Sequence, residues 1–160
     1  MSLDLGEGLG AVLARINRGR LGLPQDWSAE ALAAAEEVVE GLFGPAQRLV
    51  IYGTLAPGEA SHAEIAHLGG HWSEARVRGS IRRIDRGTHK GLTAMHLDPG
   101  AAPLPVKLLV SPRLPANWPA LDRFEGEEMF RLLVPLEPAG GPPGVANIYT
   151  LRRAMLTALS

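Results

Sequence analysis

Two hydrophobic periodicities divide the chain near residue 45. Before that point apolar residues recur every three or four positions; after it they alternate or run in short blocks. Leu9, Val12, Leu13 and Ile16 make one stripe, which predicts a first helix ending at Asn17-Arg18-Gly19. Gly22, Pro24 and Asp26 predict a turn. Ser28 is placed to cap a second helix, with Glu30 in its first turn, where the helix dipole favours an anion. Leu32, Ala35, Val39 and Leu42 form its apolar stripe, Glu30, Glu37 and Glu40 populate another face, and Gly44-Pro45 stops it.

From Arg48 onward the pattern predicts strands over 48–53, 74–84, 92–97, 105–111, 130–137 and 145–152. Two short helical pieces fall near 60–68 and 117–123, the second introduced by Asn117, Trp118 and Pro119. Short strands with small intervening helices imply an α+β domain built on a curled sheet or small barrel. Pro138 to Gly144 reads as an exposed loop. The chain thus divides into an N-terminal helical extension, 1–45, and a main domain, 46–160. The helical hairpin could pack on that domain, form a homodimer or meet another protein; packing is the expectation.

Composition narrows the class. Apolar residues make up 46% and charged residues 21% of 160, as in an ordinary globular protein. With 16 basic against 17 acidic residues the formal charge is −1, and no basic face that would bind nucleic acid is evident. The absence of cysteine excludes disulfides, thiolate nucleophiles and thiolate metal sites. No stretch has the length and apolarity of a membrane span or secretory signal, so a cytoplasmic protein is expected.

The chemistry concentrates in two segments. An apolar strand, Arg48-Leu-Val-Ile-Tyr52, runs into Gly53-Thr-Leu-Ala-Pro-Gly58, a tight loop that exposes its backbone. Glycine lets successive N–H groups face one side, so Gly53, Thr54 and Leu55 could hold an anion or developing oxyanion without a cationic side chain. Downstream lies Leu121-Asp-Arg-Phe-Glu-Gly126. Glu125 stands at the end of a helix between an aromatic residue and a glycine, a context expected to desolvate its carboxyl group. Desolvation raises a carboxyl pKa and suits a group that takes and returns a proton near neutrality.

The histidines suggest less. His62, His67 and His71 are spaced five and four apart, but Gly69-Gly70 interrupts the helix that would align them, so no metal is expected. No serine sits in a GxSxG elbow.

Together the two segments resemble the gamma-glutamylcyclotransferase-like family, which combines a YGTLxxG loop with a downstream LDxFEGxxYxR segment. Tyr52 to Gly58 match the first; Leu121, Asp122, Phe124, Glu125, Gly126 and Arg131 match the second, in order and in register. The resemblance runs from about Arg48 to Arg152, leaving the hairpin outside it. It implies a small mixed β-barrel with short helices. The reaction it implies is a cofactor-free cyclotransfer, in which the α-amine of a gamma-glutamyl amine or peptide attacks its own γ-carbonyl. The products are 5-oxoproline and an amine. Glu125 is then the acid/base, and Tyr52, Gly53, Thr54 and Leu55 bind substrate. Two departures stand out: Met129 replaces the family's tyrosine, and Val106 to Val110 lacks the glycine common in the corresponding strand. Tyr149 or Thr54 is available to supply the missing hydroxyl.

Each element also has a plainer reading. On it the loop glycines only turn the chain, Tyr52 is a wall residue, and Glu125 pairs with Arg123 or Arg131. Arg131 reads as a structural partner, since guanidinium does not titrate near neutrality. On that reading the chain is a catalytically inactive member of the fold, binding a small acidic metabolite or, through its hairpin, a protein.

Overall fold

The computed structural model describes residues 8–52, 57–59, 62–84, 93–138, 140 and 142–151. Two helices come first, α1 (Leu9–Leu21) and α2 (Ala29–Phe43). The first runs two residues beyond the expected stop. Gly19 does not end it because that position faces α2: a β-carbon there would lie 2.9 Å from Leu32 Cδ1. Gly22, with φ 72°, closes the helix instead. Ser28 caps α2 as expected, its hydroxyl accepting from the Ala31 amide at 3.1 Å.

After a 3-10 turn at Pro45–Gln47 the strands follow: β1 (Arg48–Ile51), β2 (His71–Arg83), β3 (Thr93–Leu97), β4 (Pro103–Val110), β5 (Met129–Pro138) and β6 (Gly144–Leu151). Helices α3 (Ala63–Ala66) and α4 (Leu114–Glu125) lie between them. The sheet order is β3-β2-β4-β1-β6-β5. A pairing of Ala75 with Pro138 and Arg76 with Glu137 joins β2 back to β5 and closes a five-stranded barrel, with β3 an added strand outside it. β1 and β6 run parallel, Leu49 opposite Asn147; every other pairing is antiparallel, so the barrel is mixed.

Among the described residues, alternation along the strands builds three larger cores and a small one of Ile84, Ala94 and Leu151. Val50, Ala75, Val77, Val106, Leu108, Leu132, Val134, Leu136, Ala146 and Ile148 fill the barrel. On the outside, Leu49, Ile51, Leu109 and Tyr149 lie under α3 and α4, against Ile65, Leu68, Leu114, Trp118 and Leu121. Leu133 and Val145 are covered by the hairpin through Val12, Leu13, Ile16, Ala35 and Val39. Strand β6 is therefore buried on both faces along its length.

The hairpin is also held by polar contacts. Asn17 donates to the Leu133 carbonyl at 2.8 Å and accepts from the Leu133 amide at 2.9 Å, so its carboxamide stands in for a neighbouring strand. Among the described residues no helix is long and apolar enough to cross a membrane.

Candidate functional site

Strand β1 delivers Tyr52 to one end of the barrel. Its ring packs with the interior cluster, as alternation from Val50 requires, and its hydroxyl donates to the Tyr149 carbonyl at 2.5 Å. Gly53, Thr54 and Leu55 lie outside the described residues. The chain is described again at Pro57, and Gly58 has φ 85°, a conformation open to glycine and strained for other residues.

Helix α4 delivers Glu125. It begins three residues before the expected start, because Pro115 occupies the first turn, where a missing N–H breaks no helical bond. Ser111 prepares that end: its hydroxyl donates to the Leu68 carbonyl at 2.9 Å and accepts from the Arg113 amide at 3.2 Å. Leu114, Trp118 and Leu121 are buried at four- and three-residue spacing. Glu125 continues that stripe one turn beyond Leu121 and is half-buried, whereas Phe124 is exposed. The helix stripe, not the neighbouring aromatic ring, accounts for the partial burial of Glu125. Gly126, with φ 86°, then turns the chain into β5.

The two segments meet through Tyr149 on β6. Its hydroxyl donates to Asp122 Oδ1 at 2.6 Å, while its carbonyl receives the Tyr52 hydroxyl. Burial holds the Tyr52 phenol well above the ordinary tyrosine range; the Met95 backbone opposes that rise and the Glu125 carboxylate adds to it. Burial likewise raises Tyr149, with Asp122 and Glu125 adding to the rise and Arg131 opposing it. Glu125 is thus an electrostatic neighbour of both phenols.

Behind Tyr149 lies a polar network. Arg131 grips Asp122 with two bonds, Nε to Oδ1 at 2.9 Å and Nη2 to Oδ2 at 3.3 Å, and its guanidinium lies 4.4 Å from the Trp118 ring centroid. Burial alone would raise the Asp122 pKa. The bonds from Arg131 and Tyr149, with the charges of Arg131 and Arg20, outweigh it and leave Asp122 below the usual carboxylate value. Asn147 Oδ1 accepts from Arg131 Nη1 at 3.3 Å and from Arg20 Nη1 at 3.0 Å, and its Nδ2 donates to the Pro45 carbonyl at 2.7 Å.

Tyr52 and Glu125 are therefore brought to one region. Arg131, the structural partner anticipated from sequence, serves Asp122. Met129 is half-buried and packs against the cluster containing Tyr149. On the adjacent strand, Tyr149 faces Arg131 in register, placing a phenol beside the position where the family carries its tyrosine. Asp122 belongs to the motif but its sequence gave it no role, and Asn147 and Arg20 carried no signal. His62 precedes α3 with its ring centroid 5.7 Å from that of Trp72; His67 and His71 are exposed. Among the described residues no three His, Asp or Glu side chains are grouped to hold a metal ion.

No family model matches the chain, and no curated protein matches it in sequence. Among solved structures it is similar to YkqA from Bacillus subtilis, with 22% identity and a TM-score of 0.51 over 66% of this chain. The match spans 35% of YkqA, about a third of its length. An aig2-like protein from Mus musculus gives 18% identity and a TM-score of 0.48 over 65% of this chain and 76% of its own. The uropathogenic E. coli protein c4763 gives 19% and 0.48 over 69% and 83%. The closed mixed barrel is an α+β fold similar to that of YkqA over this stretch.

Proposed function

We propose that the protein is a cofactor-free gamma-glutamyl cyclotransferase acting on a small gamma-glutamyl amine or peptide. One observation carries this reading: the Tyr52 hydroxyl, where the glycine loop begins, donates to the Tyr149 carbonyl, and the Tyr149 hydroxyl donates to Asp122, three residues before Glu125 on α4. Glu125 takes a proton from the substrate's α-ammonium group, and the freed amine attacks the γ-carbonyl carbon. The new C–N bond closes the five-membered ring, the tetrahedral oxygen collapses, and the old C–N bond breaks. The leaving nitrogen takes that proton from Glu125, and the ring nitrogen then gives up its second proton through the regenerated carboxylate to the released amine. No oxidant or reductant is needed, and the proton balance closes within the site.

The resemblance assigns the tetrahedral oxygen or the substrate carboxylate to the amides of Gly53, Thr54 and Leu55. Because attack is intramolecular, holding the folded-back conformer supplies much of the acceleration. The Tyr149 hydroxyl takes the place of the hydroxyl that Met129 lacks. It is engaged by Asp122, so it orients the wall of the site and does not titrate there.

The test is 5-oxoproline release from a panel of gamma-glutamyl amines and dipeptides. Glu125→Gln should lower kcat by about 100-fold or more, the scale of general acid–base catalysis. Equal release by wild type and variant removes Glu125 from the chemistry. Binding of a gamma-glutamyl compound without turnover supports an inactive, metabolite-binding member of the fold.

A further inference from the structure

We infer that Arg20, contributed by the N-terminal hairpin, is a positioning residue for the site at the end of α4. This rests on the cyclotransferase reading for its functional consequence, but its structural content stands apart from it. The hairpin lies outside the stretch that resembles the family, yet its first helix reaches past the apolar interface into the polar network. Arg20 Nη1 donates to Asn147 Oδ1 at 3.0 Å and to the Arg131 carbonyl at 3.2 Å, while Nε donates to Glu36 at 3.0 Å. The same Asn147 oxygen receives Arg131.

Two guanidinium groups therefore share one amide oxygen, an arrangement that like-charge repulsion opposes. Glu36 on one side and Asp122 on the other offset that repulsion. Arg20 consequently holds Arg131 twice, at its main chain and through their common acceptor. Arg131 in turn grips Asp122, Asp122 takes the Tyr149 hydroxyl, and the Tyr149 carbonyl takes the Tyr52 hydroxyl. A continuous run of hydrogen bonds joins the hairpin to the residue at which the glycine loop begins. Each link is directional, so a shift at Arg20 is passed on as a rotation of Arg131 rather than absorbed by apolar packing.

The experiment compares Arg20→Ala, Arg20→Lys and Arg15→Ala in the full chain. Arg15 lies on the same helix, but its described contacts, an ion pair with Asp26 and stacking on Trp27, stay within the hairpin, so its variant controls for hairpin loosening. The first readout is hydrogen exchange of the Arg131 Nε–H, assigned by its loss in Arg131→Lys. Arg20→Ala should exchange about tenfold faster than wild type, Arg20→Lys by less, and Arg15→Ala at the wild-type rate. The second readout is turnover: in Arg20→Ala, kcat should fall about tenfold with KM little changed, and Arg15→Ala should match wild type.

An unchanged exchange rate in Arg20→Ala overturns the inference. So does an unchanged kcat in a chain whose wild type is active. If wild type turns over no gamma-glutamyl compound, the cyclotransferase reading falls and exchange alone decides whether Arg20 holds Arg131.

Discussion

The Tyr52 hydroxyl donates to the Tyr149 main-chain carbonyl at 2.5 Å, and through this bond the loop motif is tied to the strand that also serves the glutamate motif. Tyr149 is anchored at both ends, its carbonyl by Tyr52 and its hydroxyl by Asp122. Residues 59–120 separate the two motifs in sequence, and one residue on β6 spans the gap between them.

Both phenols keep their protons in the folded chain at pH values where an unfolded tyrosine, near 10, has lost its own. The stability this confers is whole below about pH 10 and is lost as pH climbs from there towards the folded values. The free energy of unfolding should fall by about 1.4 kcal/mol per pH unit for each phenol above that point. Urea titrations from pH 9 to 11 should show a shallower fall for Tyr52→Phe than for wild type. Identical slopes would place the Tyr52 hydroxyl in water.

Asn17 supplies strand-like hydrogen bonds to Leu133, and its replacement by alanine leaves a buried amide and carbonyl without those partners. Each such group costs about 1–3 kcal/mol. Asn17→Ala should therefore destabilise the chain by about 3 kcal/mol in urea unfolding, more than an exposed helix substitution could. A loss below about 0.5 kcal/mol would mean that the hairpin is not locked to β5 at this point.

Asn17 also marks what could be read in advance and what could not. The strands were legible because alternation survives wherever a barrel has one apolar interior, as at Val106 and Leu108 or Ala146 and Ile148. Ser28 and Gly44 were legible as caps because capping is local chemistry. Asn17 and Arg20 were not: on a helix, polar residues near its end read as terminator and solvated face. Contact with β5 gives Asn17 its partners, and contact with β5 and β6 gives Arg20 two beyond Glu36 in the hairpin. The start of α4 is hard to read from sequence because Pro115 and Pro119 weaken a helical pattern that buried Leu114 and Trp118 override. Glu125 and Tyr52 were legible as a pair of motifs, but Tyr149, the residue between them, belongs to neither.

Asp122 gives the fold an acid-sensitive element. Its folded pKa lies below the ordinary value, so its contribution is fully present above about pH 4 and is lost as pH falls through the folded value. Asp122→Asn removes the charge that Arg131 grips at every pH. Wild type should thus be more stable than Asp122→Asn at pH 6, and the gap should narrow between pH 4 and pH 2, measured as paired Tm values. A gap independent of pH would show that geometry, not charge, is what Arg131 recognises in Asp122.

Thr150 offers the opposite case, a polar atom whose removal should help. It is fully buried on β6, and its Oγ1 finds no hydrogen-bond partner among the described residues. Strand alternation puts it on the face shared by Ala146 and Ile148, opposite Phe130 on β5, so the hydroxyl is set among apolar groups. A buried hydroxyl without a partner costs about 1–3 kcal/mol, and valine has nearly the same shape with a methyl in its place. Thr150→Val should therefore raise stability by about 1 kcal/mol, and Tm by about 2–4 °C for a chain of this size. Thr150→Ala discriminates the cause, because it also removes the hydroxyl but leaves a small void, and it should fall below Thr150→Val. If valine instead lowers Tm, the hydroxyl is satisfied in solution and Thr150 is a polar contributor to the barrel end where Tyr52 sits.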